Sequence, residues 1–177
     1  MSVRLSLLAL LDQGPCYGYQ LRTELDWRTG GKGPVNVGQV YNTLDRLERD
    51  KLVRKTGENN YYQITPAGST AVAVWLASAS PAAEFPAKLA LAATLPGVDV
   101  AEVIQAQRSA AVNAPTGETP TTAEGLAAAI MTTAVHAARR SQNLLLDEAE
   151  QLLALGIAPV PLSTEVPKRG RPAKLAS

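Results

Sequence analysis

Between Asn36 and Arg49, polar side chains recur on one face of a helical period: Gln39, Asn42, Thr43, Asp45, Arg46 and Arg49. Val37, Val40, Tyr41, Leu44 and Leu47 mark the other face. Carboxamides such as those of Gln39 and Asn42 can bond an adenine edge bidentately in a major groove, or hold a phosphate. Gly38 beside them carries no side chain to obstruct such an approach, and Asn36 suits the N-cap. Arg46 has two readings, a phosphate contact or a surface pair with Asp45 or Asp50. A few residues on, Arg54, Lys55, Asn59 and Asn60 are placed for contact with a nucleic-acid backbone or minor groove. A second constellation is Pro167-Lys168-Arg169-Gly170-Arg171-Pro172, which contains the Arg-Gly-Arg-Pro core of an AT-hook. A narrow A·T minor groove has a strong negative potential and admits a slim extended backbone. Two arginines flanking a glycine can lie along it, the glycine permitting close approach. The other reading is a solubilising tail, or one that binds phosphate without sequence preference.

Other chemistries are excluded by residue counts. Cys16 is the single cysteine, so there is no internal disulfide framework and no multi-cysteine metal site. His136 is the single histidine, which removes His-rich metal centres and most triad catalysis. No nucleophile–base pair, phosphate loop or metal cluster is visible, so neither an enzyme nor a cofactor is expected. Cys16 reads as a buried thiol or a redox sensor, and His136 as packed, solvent-facing or titrating at an interface. No run approaches the roughly 18 apolar residues that a membrane span needs. The apolar start has one positive charge and no small-x-small cleavage site, and it stops at Asp12-Gln13-Gly14-Pro15. It reads as a first helix and predicts a cytoplasmic protein, nucleoid-associated when on DNA.

The elements that must position these residues follow from periodicity and breakers. The chain has 177 residues, 46% apolar but only 5% aromatic, which favours closely packed helices. Residues 3–12 form a helix broken at Gly14-Pro15, a second runs from about Tyr17 to Arg28, and the third begins at Asn36. Leu52–Thr56 and Tyr61–Thr65 read as two strands around a Gly57-Glu58-Asn59-Asn60 turn. Pro66 opens a fourth helix reaching about Ser78. This is the order of a winged helix-turn-helix. The predicted fold is mainly α: that domain over residues 1–80, then a helical dimerisation or effector domain over 81–156, then a disordered basic tail over 157–177. In the second part, helices over 85–112 are split near Leu95-Pro96-Gly97. A long helix over 122–155 follows, with an apolar row of Leu126, Ile130, Ala134, Ala137, Ala138, Leu145, Ala149 and Leu152. At about 45 Å it exceeds what a small domain needs, which predicts packing on a second chain. Net charge runs +2, −5 and +4 over residues 1–70, 71–165 and 166–177, as expected for DNA contacts at the ends and a scaffold between.

The motifs Leu5-Ser-Leu-Leu-Ala-Leu-Leu, Gly14-Pro-Cys-Tyr-Gly-Tyr-Gln-Leu21, Gln39-Val-Tyr-Asn-Thr-Leu-Asp-Arg-Leu-Glu-Arg-Asp50 and Tyr62-Gln-Ile-Thr-Pro-Ala-Gly68 follow one another at set spacings. Over about residues 3–75 the chain resembles PadR-family transcriptional regulators. Beyond that the resemblance is architectural, to the subfamily with a long C-terminal helix. It implies a homodimer that represses promoters through double-stranded DNA, released by an effector or stress signal. Tyr41 resembles the family's characteristic tyrosine, its ring packed on the domain and its hydroxyl free to reach phosphate; pure core packing is the alternative. Tyr17 and Tyr19 resemble the Tyr-Gly-Tyr element, which braces helices or contacts phosphate. In some relatives an apolar cavity takes flat aromatic ligands. Trp27, Trp75 and Phe85 are candidates to line one here, or are ordinary core. The basic tail and Asp50-Lys51, where an acidic residue and Gly are usual, depart from the family. Two other functions fit the same residues: an architectural protein binding A·T-rich DNA broadly, and a winged helix that binds protein.

Overall fold

The computed structural model describes residues 2–31, 35–57, 61–112, 124–156 and 158–163. The order is α1 (Val3–Leu11), α2 (Gly18–Arg28), α3 (Val37–Arg49), β1 (Val53–Thr56), β2 (Tyr61–Ile64), α4 (Pro66–Ala77), α5 (Phe85–Ala92), α6 (Val100–Val112) and α7 (Glu124–Leu153). The fold is mainly α with a two-stranded wing. α3 starts where Asn36 caps it, the Gly38 N–H donating to Asn36 Oδ1 at 2.8 Å. It ends in a Schellman turn: Leu52 N–H reaches Leu47 O and Lys51 N–H reaches Glu48 O, both at 2.9 Å. Lys51 sits at the left-handed position of that turn with φ 58°. β1 and β2 pair antiparallel, Val53 opposite Ile64 and Thr56 opposite Tyr61. Cys16 extends the wing by one bridge, exchanging both backbone hydrogen bonds with Tyr62. Thr65 caps α4, and its hydroxyl also reaches Lys51 O at 2.8 Å, joining the wing's base to the end of α3.

Two apolar clusters hold the chain. The first joins α1 to α4 and the wing through Leu7, Leu11, Leu21, Leu25, Val40, Leu44 and Leu47, with Trp75 at its edge. The second joins α5, α6 and α7 through Phe85, Leu89, Val103, Ile104 and Leu146. α5 serves both, because Leu91 faces the first cluster and Leu89 the second. Arg108 bridges Asp147 at 2.7 Å and Glu150 at 2.9 Å, fastening α6 to α7. The apolar residues of α7 divide: of the expected row, Leu145 and Ala149 pack inward while Leu126, Ile130 and Leu152 are exposed. Leu146 and Leu153 also pack inward, while Met131, Val135 and Leu144 are also exposed. No helix among the described residues is long and apolar enough to cross a membrane.

Residues 158–163, expected as part of a disordered tail, instead lie along α2. Leu162 packs against the first cluster, and Val160 N–H donates to Thr94 O at 3.0 Å. Pro159 and Pro161 pre-extend this segment, so little backbone freedom is lost when it docks.

Candidate nucleic-acid interface

The polar face of α3 forms one open groove of about 430 Å³, lined by Asn36, Gly38, Gln39, Asn42, Thr43 and Arg46. Val40, Leu44 and Leu47 bury the opposite face, so the amphipathic period turns the amides outward. Thr43, not singled out in the sequence as a contact, lines the groove while its hydroxyl donates to Gln39 O at 2.7 Å. Arg46 also lines it. Its two expected surface partners are engaged elsewhere, Asp50 with Arg4 at 2.7 Å and Asp45 with Lys55 at 3.6 Å.

Tyr41 is half-buried at the side of this groove. A Cβ built on Gly18 would stand 2.7 Å from Tyr41 Cε1 and 2.8 Å from Cζ. Glycine at the first position of α2 is therefore what lets the Tyr41 ring seat there. The signal was present in the Tyr17-Gly18-Tyr19 order, but the sequence does not say which ring uses the gap. Tyr17 is buried and meets Tyr61 edge-on, with centroids 5.8 Å apart. Tyr19 is half-exposed.

In the wing, Arg54 is exposed and its guanidinium donates twice to Gln63 Oε1, at 2.9 and 3.2 Å. Lys55 turns back to α3, 2.9 Å from Glu48 Oε2 and 5.5 Å above the Tyr62 ring. The hydrogen bond to Glu48 leads in holding its ammonium above the ordinary lysine range. Lys55 is thus paired with α3 in the free chain. Asn59, Asn60, Lys168, Arg169, Gly170 and Arg171 lie outside the described residues.

The three aromatic candidates for a ligand cavity are not brought together. Trp27 is 59% exposed, Trp75 belongs to the first cluster and Phe85 to the second. A cavity of about 260 Å³ lies elsewhere, between Ala9, Gln13, Val72, Leu95, Val98 and Leu162. Both polar atoms of the Gln13 carboxamide are buried without a hydrogen-bond partner. Cys16 is fully buried, and burial, aided by Glu24, pushes its thiol up to about 12. A thiol kept protonated in this way is a poor redox sensor. His136 is half-exposed on α7. Among the described residues, no three His, Cys, Asp or Glu side chains gather as a metal site.

Residues 7–74 match the family described as Transcriptional regulator PadR-like family. No curated relative matches the chain. Three similar solved structures each align with 88% of it. They are Bacillus subtilis PadR in complex with operator DNA (17% identity, 98% of that chain, TM-score 0.38), the Vibrio cholerae virulence activator AphA (20%, 100%, 0.40) and a crystal structure of Bacillus subtilis PadR (16%, 96%, 0.37).

Proposed function

We propose, from the premise that residues 7–74 are a domain of the PadR-like family of transcriptional regulators, that the chain acts as a homodimeric repressor. It binds an inverted-repeat operator in double-stranded DNA and is released by a small effector. The observation that carries this reading is the α3 groove, whose lining is amide, hydroxyl and guanidinium with no carboxylate. Such a surface suits base edges and phosphates alike. Gln39 and Asn42 read bases; Tyr41, Arg46 and Arg54 position the helix on phosphates. Two copies place two such helices one helical turn apart.

Dimerisation is supported by α7. Leu126, Ile130, Leu144 and Leu152 fall on one stripe along its whole length and are exposed, with Ala134 and Ala137 between them to let a second helix come close. Met131 and Val135 add a second exposed apolar face on its first half. The effector reading moves from the three aromatics to the 260 Å³ cavity. Its size suits a single-ring aromatic, and the unpaired Gln13 amide suits a polar substituent on that ring. The tail from Lys168 to Arg171 adds a minor-groove contact beside the operator.

The test is selection of bound duplexes from a random pool by the purified chain. A shared palindrome, lost or relaxed at particular base pairs in Asn42→Ala, supports the repressor reading at about 1–3 kcal/mol per good contact. Enrichment of A·T content with no palindrome refutes it and leaves an architectural protein in its place. No binding at low salt refutes both.

A further inference from the structure

Gln13 follows the C-cap of α1 and lines the 260 Å³ cavity. Its carboxamide leaves Nε2 and Oε1 buried and unbonded, a donor and an acceptor side by side. Such a pair is costly until something meets it. Among the described residues that line the cavity, the only charged side chain is Asp12, an exposed carboxylate that accepts from Ser69 Oγ at 2.6 Å. The fixed walls belong to the first cluster or pack on it: Val72 and Leu76 of α4, and Leu95 and Val98 after α5. Pro161 and Leu162 close the remaining side. That side is held differently. Val160, Pro161 and Ser163 are exposed and Leu162 is half-buried. Hydrogen bonds fasten the segment instead. Arg28 Nη2 donates to Pro161 O at 3.4 Å and Gln20 Nε2 to Ser163 O at 2.7 Å. Ser163 N–H donates to Glu24 Oε1 at 3.1 Å, and Val160 N–H to Thr94 O at 3.0 Å.

We infer that this cavity binds a small neutral ligand bearing a primary carboxamide, and that residues 158–163 are the lid that admits it and closes on it. The inference rests on the effector reading of the cavity and gives that reading its ligand class. A carboxamide meets both free atoms at once. Its carbonyl accepts from Gln13 Nε2 while its N–H donates to Gln13 Oε1, a closed pair of hydrogen bonds. A carboxylate brings acceptors alone. It would also stand near Asp12, with no cation in the lining to offset its charge. The apolar walls take the rest of the ligand, and the volume suits one ring. Both Gln13 atoms are covered while the segment is docked, so an entering ligand needs a wall that moves. Walls built into the core open at large cost. The exposed segment, with Leu162 as its apolar anchor, lies at the low end of local stability. A ligand touching Pro161 and Leu162 makes those contacts only in the docked form, so it draws the segment shut. The docked segment bonds α2 on one side and Thr94 on the other. The ligand thereby fastens the winged helix to the turn after α5.

The probes are benzamide, benzoate and toluene, titrated into the full chain at pH 7 by calorimetry. Benzamide should bind one to one, and benzoate at least about tenfold more weakly. Gln13→Leu keeps the bulk and removes the amide. It should weaken benzamide about 5- to 150-fold, the worth of two neutral hydrogen bonds, and leave toluene binding unweakened. The lid is read by hydrogen exchange. With benzamide at ten times its Kd, the Val160 and Ser163 amides should exchange about tenfold more slowly, because the segment opens only after the ligand leaves. Benzoate at the same concentration should slow them no more than about twofold. Benzoate binding as tightly as benzamide overturns the ligand class, and this comparison needs no variant to fold. A Gln13→Leu chain that binds benzamide like the parent overturns it too. Unaltered exchange of the segment amides with benzamide bound overturns the lid. No binding of benzamide up to about 10 mM overturns both. Failure of the effector reading is a different result: benzamide binds and slows the exchange, yet the affinity for the selected duplex stays the same.

Discussion

On the proposed reading, Gly18→Ala should perturb DNA binding from outside the groove. The new methyl would lie 2.7 Å from Tyr41 Cε1 and 2.8 Å from Cζ, whereas carbon pairs rest at about 3.5–4.0 Å. The ring must therefore retreat by about 1 Å, and its hydroxyl moves with it. Two effects oppose each other in stability. Alanine gains up to about 1 kcal/mol of helix propensity over glycine, and overpacking costs about 1–3 kcal/mol. The net expectation is a loss of about 0–2 kcal/mol, read by urea unfolding. The effect on DNA is larger in relative terms. A hydroxyl bond to a charged phosphate contributes about 1.5–3 kcal/mol, so losing it raises Kd roughly 10- to 150-fold on specific and nonspecific duplexes alike. Fluorescence anisotropy on a 40-bp duplex reads this directly. Tyr41→Phe should reproduce the loss without the stability change, and adding Gly18→Ala to Tyr41→Phe should then change Kd little. If Gly18→Ala binds DNA like the parent chain while Tyr41→Phe is impaired, the ring is not positioned by Gly18. If both bind like the parent chain, Tyr41 is a packing residue only.

Two further perturbations probe the frame. Lys51 sits at φ 58° at the end of α3. Lys51→Gly relieves about 1–2 kcal/mol of left-handed strain and returns about 0.5–1 through the freedom of the unfolded chain. The net gain of about 0.5–1 kcal/mol should raise Tm by about 1–4 °C, and a lower Tm contradicts this account of the departure from Asp-Gly. Lys88 is buried with its ammonium on Trp75 O at 2.6 Å and Ser78 O, and burial pulls its pKa down to about 8 from 10.5. Between those values the unfolded chain holds a proton that the folded chain has released, so stability should rise with pH from about 8 to 10.5. The rise, at most about 3 kcal/mol, should appear in urea titrations as a difference from Lys88→Met; a falling difference refutes the burial argument.

Legibility in the sequence followed the strength of the local signal. α3 was readable because one period separates Val40, Leu44 and Leu47 from the amides, and because Asn36 caps it. The wing was readable because strand-forming residues flank Gly57, which takes φ 68°. The site beyond α3 was only half readable. Arg46 and Lys55 look equivalent as cations near acidic neighbours, yet the hairpin's return over α3 gives Glu48 and Asp45 to Lys55 and leaves Arg46 on the groove. The aromatic residues were ambiguous for the same reason. Trp27 is exposed, Trp75 lies in the first cluster and Phe85 in the second, and nothing in their spacing encodes which.

The docking of residues 158–163 on α2 was invisible because its signals point the wrong way when read alone. Prolines at 159 and 161 after a helix stop look like the start of a tail, and Gln20, Glu24 and Arg28 look like a solvated helix face. Either feature is explained only by the other. A helix that buries an arginine and a glutamate needs outside donors and acceptors for the atoms the pair leaves over, since a half-satisfied buried pair is costly. The Pro-rich segment has backbone groups to offer and little entropy to lose. α2 is thus held on three sides. Leu21 and Leu25 face the core, Gly18 receives Tyr41, and the polar row receives residues 158–163.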